Sequence, residues 1–495
     1  MTRNILRVAI VIVTIALHSR AGGTWAQTNP PAAATPAASD AKPAPPPPAS
    51  APSTGYYREP GTYGTKRETV PPQYVRDLSK IGIPAFSDIK WLDVGLDHRM
   101  RYEMRSDDYR RPRATTDNLF LLRTRAYLGI REIVDPLRLT IEVEDARSEN
   151  GKFPRDNRDV NEVEPIQMIA ELYFKDLLPT DDLGQNRPVS LRGGRMWFEM
   201  IDRRLIANNA WRNTTNTFQG LHLSIGQDVN DWQLEGIATQ PLDRKKYEFD
   251  RTNTGQWFYA IIGHWRRWSD IITIEPYYLF LDQEQHGGRN RRHIHAPAVR
   301  LYGPIGKTAA NYDINLVYET GKDDGQDFSA FGSASEVGYT FTHEWKPRAS
   351  LFYGYASGDK NPNDNTNERF ERFYGFARPW SADDYFIWEN FHAPKVRLEL
   401  VPIKDLRVDT GYGWYWLASD RDRWANANLR DPTGKSGDFI GHEFDIRARY
   451  AFLQRFEATV GYAHFQPGGF TKKVGRDNPS DFFYFEISTN AFPKT

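Results

Sequence analysis

Residues 91–105 read Trp-Leu-Asp-Val-Gly-Leu-Asp-His-Arg-Met-Arg-Tyr-Glu-Met-Arg, and the order of these side chains decides the fold class. One set of alternate positions holds Leu92, Val94, Leu96, Met100, Tyr102 and Met104, interrupted by His98. The other holds Asp93, Asp97, Arg99, Arg101, Glu103 and Arg105. Successive side chains on a strand point to opposite faces, so this strand is oily on one side and ionic on the other.

The device recurs. Phe120, Leu122, Ala126, Leu128 and Ile130 alternate with Arg123, Arg125 and Arg131. Leu137, Leu139, Ile141 and Val143 stand against Arg138, Thr140, Glu142 and Glu144. Near the other end of the chain, Phe444, Ile446, Ala448 and Tyr450 oppose Glu443, Asp445, Arg447 and Arg449. About 18 such segments fill residues 91–495, or about 16 if the middle ones that are apolar on both faces or broken by Gly or Pro are set aside. Their links alternate short and long. Val134-Asp135-Pro136, Pro402-Ile403-Lys404 and Leu453-Gln454 are short, whereas 201–216, 358–393 and 419–439 are long and polar.

Two architectures share this strand pattern. In a soluble sandwich the apolar faces meet in a dry core. In a transmembrane barrel they meet lipid, and the ionic faces line water. Four features favour the barrel: a secretory leader, the loop alternation, interface-type aromatics at 14 % of the chain, and an antiparallel run too long to stay an open sheet. The expected class is all-β, a single transmembrane antiparallel β-barrel with a disordered N-terminal linker.

Residues 1–26 read as a signal peptide, with Arg3 and Arg7 before the apolar run Val8–Leu17 and a small-residue cleavage site at Thr24-Trp25-Ala26, with Ala21 as the alternative. Residues 27–55 are Pro/Ala-rich and cannot build a core. Residues 56–90 form a transitional periplasmic segment, and the barrel occupies 91–495. An even strand number puts both termini on the periplasmic side. Lys+Arg and Asp+Glu are both 64, so no charge excess points to nucleic acid, and the absence of cysteine removes thiolate chemistry.

The stretch 358–446 goes beyond pattern. Arg372-Phe373-Tyr374-Gly375-Phe376-Ala377-Arg378-Pro379-Trp380-Ser381, then Trp388-Glu389-Asn390, Tyr415-Trp416-Leu417-Ala418-Ser419-Asp420 and Gly441-His442-Glu443-Phe444-Asp445, resemble the alginate export family of outer-membrane barrels. Arg204-Leu205-Ile206-Ala207 and Thr217-Phe218-Gln219-Gly220 do so too. The resemblance covers roughly residues 90–495. It implies an 18-stranded barrel exporting an anionic exopolysaccharide through an arginine-lined pore. The balanced net charge and the Pro-rich extension depart from the alginate exporter itself.

On this reading Arg99, Arg101, Arg123, Arg125, Arg447 and Arg449 face the lumen and attract carboxylated sugars, while Asp97, Glu443 and Asp445 hold them in place. A charge ladder bracing a solvated wall is the plainer alternative. The link 358–393, with Arg378, Trp380, Tyr385 and Trp388, is the expected plug or gate, its aromatics either stacking on sugars or packing the loop into the barrel mouth. No metal site, cofactor or enzymatic nucleophile is expected. The expected partners are outer-membrane lipid, a saccharide and periplasmic export components. The leading function is a channel for an anionic polysaccharide or oligosaccharide; a general or substrate-specific porin for small solutes is the alternative. A lipid-modifying enzyme on a barrel is a third class, for which no nucleophile can be named.

Overall fold

A computed structural model describes Tyr56 and residues 65–112, 115–285 and 288–492. The expected signal peptide and Pro/Ala-rich linker lie outside the described residues, as does part of the transitional segment. From Leu92 onward the alternating pattern becomes 18 antiparallel strands. They are β1 (Leu92–Arg105), β2 (Asp117–Val134), β3 (Leu137–Glu149), β4 (Asn161–Leu178), β5 (Arg187–Met196) and β6 (Phe218–Ile225). There follow β7 (Trp232–Asp243), β8 (Gln256–Ser269), β9 (Ile272–Gln283), β10 (Arg292–Pro304), β11 (Ala310–Asp323) and β12 (Gln326–Thr340). The last are β13 (Arg348–Ala356), β14 (Phe391–Ile403), β15 (Leu406–Trp416), β16 (Phe439–Phe452), β17 (Phe456–Pro467) and β18 (Ser480–Asn490). Each pairs with its sequence neighbour. β1 pairs with β2 on one edge and with β18 on the other, from Asp97 opposite Asn490 to Arg105 opposite Phe482. The sheet is closed, which removes the edges that hydrocarbon would not tolerate.

The two faces are inverted relative to a soluble protein. On β1, Asp97, Arg99, Arg101, Glu103 and Arg105 are buried, while Leu96, Met100 and Tyr102 are exposed. Leu128, Ile141, Met168, Leu172, Leu221 and Ile261 are exposed in the same way on other strands. The outward apolar sides therefore do not meet in a dry centre, and the sandwich alternative fails.

The inner face has two sectors. β1–β5 and β14–β18 carry paired charges inward. From β8 to β13 the inner face is largely apolar, with Phe258, Ala260, Ile262, Leu279, Leu281, Ile294, Ala296, Val317, Phe328 and Ala330 all buried. These side chains pack against Phe198, Met200, Ile201, Leu205, Phe370, Phe373, Trp380 and Phe386 from two long links that fold inward. Middle strands that are apolar on both faces thus have lipid outside and loop inside.

One end of the barrel has tight turns, including 135–136, 270–271 and 404–405; the other has long links. The alternating pattern predicts the twelfth strand over 333–345, whereas β12 starts at Gln326 and joins β11 through Asp324-Gly325, a two-residue turn at the long-link end. Both turn residues have positive φ, +51° and +88°, as a tight hairpin of this type requires. Phe328, Ala330, Gly332 and Ala334 face inward under Phe370, so no polar alternation marked this half of the strand.

Candidate functional site

The lumen is filled by two inserts. The first is the link 197–217 between β5 and β6, and the arginines of β1 and β2 hold it by its backbone. Arg99 donates to the carbonyls of Ala210 and Arg212, each at 2.8 Å. Arg101 donates to Trp211 O at 2.8 Å, and Arg123 to Ala210 O at 3.1 Å. Arg125 donates to Glu144 at 2.8 Å and to the Thr215 hydroxyl at 2.6 Å. Asp97 lies 3.8 Å from Arg123, and Glu486 on β18 faces Arg101 at 3.2 Å. All four arginines are buried. A buried guanidinium is costly unless its donors are satisfied, and here backbone carbonyls and carboxylates share the task.

The second insert is the link 357–390. Glu443 on β16 accepts from the Ser381 hydroxyl and from Ala382 N, the latter at 2.8 Å. Lys395 on β14 lies 3.1 Å from Asp445 and 4.0 Å from Glu443. Trp380, Tyr385 and Trp388 are 0–1 % exposed. The Trp388 indole donates to Tyr355 O at 2.7 Å, and Tyr415 donates to Trp380 O at 2.8 Å. Tyr385 and Ser480 share a hydroxyl–hydroxyl bond. Arg378 donates to Ala382 O and to the Tyr484 hydroxyl. These aromatics pack the link against the inner wall.

The inserts also join each other. Tyr374 N donates to Leu205 O at 2.9 Å, Phe376 N to Arg203 O at 3.2 Å, and the Trp211 indole to Asp384 at 2.9 Å. Gly375 comes so close to Arg204 that a Cβ would lie 1.9 Å from its carbonyl oxygen, so a side chain there would separate the two links.

Arg447 and Arg449 do not join this assembly. With Arg397 they converge on Asp409, Arg447 through two bonds of 3.0 and 3.1 Å and the others at 3.6 Å.

Two spaces remain. A small cavity of about 20 Å³, enough for one water-sized group, lies toward the long-link end. Six arginines line it (Arg101, Arg105, Arg110, Arg111, Arg158 and Arg212) beside Glu103, Asp156, Asp159 and Asp384. Arg212 has no side-chain hydrogen bond or ion pair among the described residues. Burial pulls its guanidinium down to about 10, Asp384 acts the other way, and Arg110 and Arg158 add to the depression. A larger chamber of about 530 Å³ opens near the tight-turn end, lined by Arg131, Arg138, Tyr173, Arg192, His222 and Glu235 among others. No group of three or more potential metal ligands occurs among the described residues.

The sequence reading puts the β1 and β2 arginines, Arg447, Arg449 and Glu443 in one charged lumen and the link 358–393 at its mouth; in the structure the β1 and β2 arginines hold the first insert, Glu443 holds the second, and Arg447 and Arg449 hold neither. It missed the 197–217 insert, with Arg203, Trp211 and Arg212. The apolar run Leu205-Ile206-Ala207 inside an otherwise polar link was the available signal.

Comparison with known proteins agrees with this architecture. The crystal structure of Pseudomonas aeruginosa OpdQ superposes with a TM-score of 0.55 at 13 % identity, covering 81 % of this chain and 97 % of that one. OccK8 (OprE) from the same organism gives 0.53 at 12 % identity, covering 82 % and 98 %. The P. aeruginosa outer membrane protein OprD gives 0.51 at 12 %, covering 80 % and 93 %. At such identities the likeness shows the fold alone. A comparison with curated protein sequences found no match. The alginate export family matches residues 90–485, most of the chain and the whole barrel up to its last strand. This closed outer-membrane-type channel is a member of the alginate export family.

Proposed function

We propose that the barrel passes an anionic polysaccharide or oligosaccharide across the outer membrane, and that the folded links represent its resting, closed state. The observation that carries this reading is the arginine-dense cavity with the unpaired Arg212 guanidinium. Six arginines face four carboxylates there, so a further carboxylate is the complementary group, and a uronate chain presents one per sugar. The neighbouring acids pair with the other arginines and keep the field moderate, so that a polymer can leave as well as enter.

In this reading residues 1–26 direct secretion, residues 27–55 link the barrel to the periplasm, and the tight-turn end with both termini faces the periplasm. Export then calls for periplasmic components that deliver the polymer to that end. A porin for small solutes is the second reading, favoured by the chamber of about 530 Å³ and by the balanced charge of the chain.

Planar-bilayer conductance with added uronate oligomers separates the two. Block by acidic oligomers, weakened by Arg212→Gln, supports polysaccharide passage. Indifference to oligomers of any charge supports a plain porin.

A further inference from the structure

A segment ahead of the barrel also enters the lumen, from the tight-turn end. Val75–Asp77 pairs with β1 below the end of β18, with Val75 opposite Gly95 and Asp77 opposite Asp93. Just before it, the Tyr74 ring lies on the inner face of β1. A Cβ on Gly95 would sit 2.8 Å from Tyr74 Cδ2, so the bare inward position on β1 is the seat for this ring. The Tyr74 hydroxyl donates to Glu142 on β3 at 2.5 Å, and the Trp197 indole of the first insert donates to the same carboxylate at 2.9 Å.

Residues 67–72 continue inward as one wall of the 530 Å³ chamber. There the segment meets the 197–217 insert directly. Glu68 N donates to Glu199 at 2.5 Å, Arg203 donates to Lys66 O at 2.9 Å, and Arg203 pairs with Glu199 at 2.7 Å. Arg67 reaches Asp228 near the β6–β7 turn at 3.4 Å.

We propose that residues 65–77 form an intramolecular plug that narrows the path from the tight-turn end and is latched to the inserted loop through Glu199 and Arg203. The segment is built to leave. Only Thr65, Pro72, Tyr74 and Val75 are buried, while Lys66, Thr69, Val70, Pro71 and Gln73 are exposed, and Thr69, Val70 and Pro71 line the chamber. A segment with this much exposed surface opens locally at low cost. Since one carboxylate, Glu142, and one ion pair, Glu199–Arg203, bind plug and loop together, release of the plug also loosens the loop. The inference concerns the closure of the path and does not depend on the substrate.

The test is single-channel conductance in KCl alone, using the full chain, a deletion of residues 65–73, a control deletion of 28–54, and Gly95→Val. The valine keeps β1 intact and evicts the Tyr74 ring. The plug predicts at least a twofold rise in conductance for the 65–73 deletion and a rise or frequent open bursts for Gly95→Val, with the control unchanged. Unchanged conductance in both test variants overturns it, as does an equal rise in the 28–54 control. Should the 65–73 deletion fail to fold, Gly95→Val decides. Because no uronate is used, failure here leaves the polysaccharide reading standing, and the reverse also holds.

Discussion

The Arg101 guanidinium sits 3.9 Å from the centre of the Trp211 indole, so a charge on the barrel wall rests on the face of an aromatic ring carried by a loop. Arg378, from the second insert, approaches the same ring at 3.7 Å. Trp211 therefore receives one cation from the wall and one from the neighbouring insert, and its N–H is taken by Asp384. A desolvated cation–π contact contributes about 2 kcal/mol. Trp211→Ala removes two of them and leaves Asp384 with only the Arg110 guanidinium, 3.7 Å away. The expected result is an intact barrel with mobile inserts: unchanged heat-modifiability on gels, but faster amide exchange in 197–217 and 357–390 and more frequent conductance openings. Exchange rates equal to those of the native chain would show that the ring does not hold the inserts.

The legible part of this structure is the part in which physics repeats. A strand facing lipid on one side and charge on the other must alternate, so β1, β2, β3 and β16 stand in the sequence almost as they stand in space. Short turns at one end followed from the same logic. The inserts were harder to read because they are single events. Arg99 and Arg101 were placed on the inner face, but nothing in their spacing says that they meet carbonyls of residues more than a hundred positions away. The half of β12 near Phe328 lost its alternation because a loop, not water, covers it. Tyr74 had no readable role, since its seat is the absence of a side chain at Gly95.

Asp409 anchors three guanidiniums, Arg397, Arg447 and Arg449. It is almost fully buried, and removing one member of a buried ion group costs about 3–5 kcal/mol when charges are left without compensation. Asp409→Asn should lower the urea midpoint of unfolding and make the lumen more anion-selective. Reversal potentials in a KCl gradient report the second effect. A shift toward cations, or none, would argue that these arginines are screened from the ion path.

The long-link end should respond to acid. Burial raises the Asp156 carboxyl, but hydrogen bonds from the Arg158 side chain and backbone outweigh it and bring the group from 3.8 down to about 2. Asp108 is likewise buried, and Arg110 holds it well below its ordinary value. A depressed carboxylate stabilises the fold above its unfolded pKa, and that contribution is lost as pH falls through the folded value. The links that carry Asp108 and Asp156 should thus hold above about pH 4 and loosen progressively toward about pH 2. Asp156→Asn should remove part of this dependence. Loop-specific proteolysis after brief acid exposure measures it, and loosening on raising the pH instead would reverse the assigned sign.

The membrane itself is tested on the outer wall. Ile141 lies mid-strand on β3, 41 % exposed, beside Leu128 on β2 and Met168 on β4, which are exposed as well. If acyl chains cover this patch, an arginine there must carry its charge into hydrocarbon at a cost of about 2–4 kcal/mol near the bilayer midplane. Thr140, one residue earlier, points the other way and lines the inner chamber. Ile141→Arg should therefore weaken folding into lipid vesicles by that amount, whereas Thr140→Arg should leave it within about 1 kcal/mol, since its side chain enters water. Folding free energies from urea titrations in vesicles give both numbers. Equal penalties at the two positions would mean that the outer face of β3 does not contact lipid, and with that the assignment of inside and outside would fail.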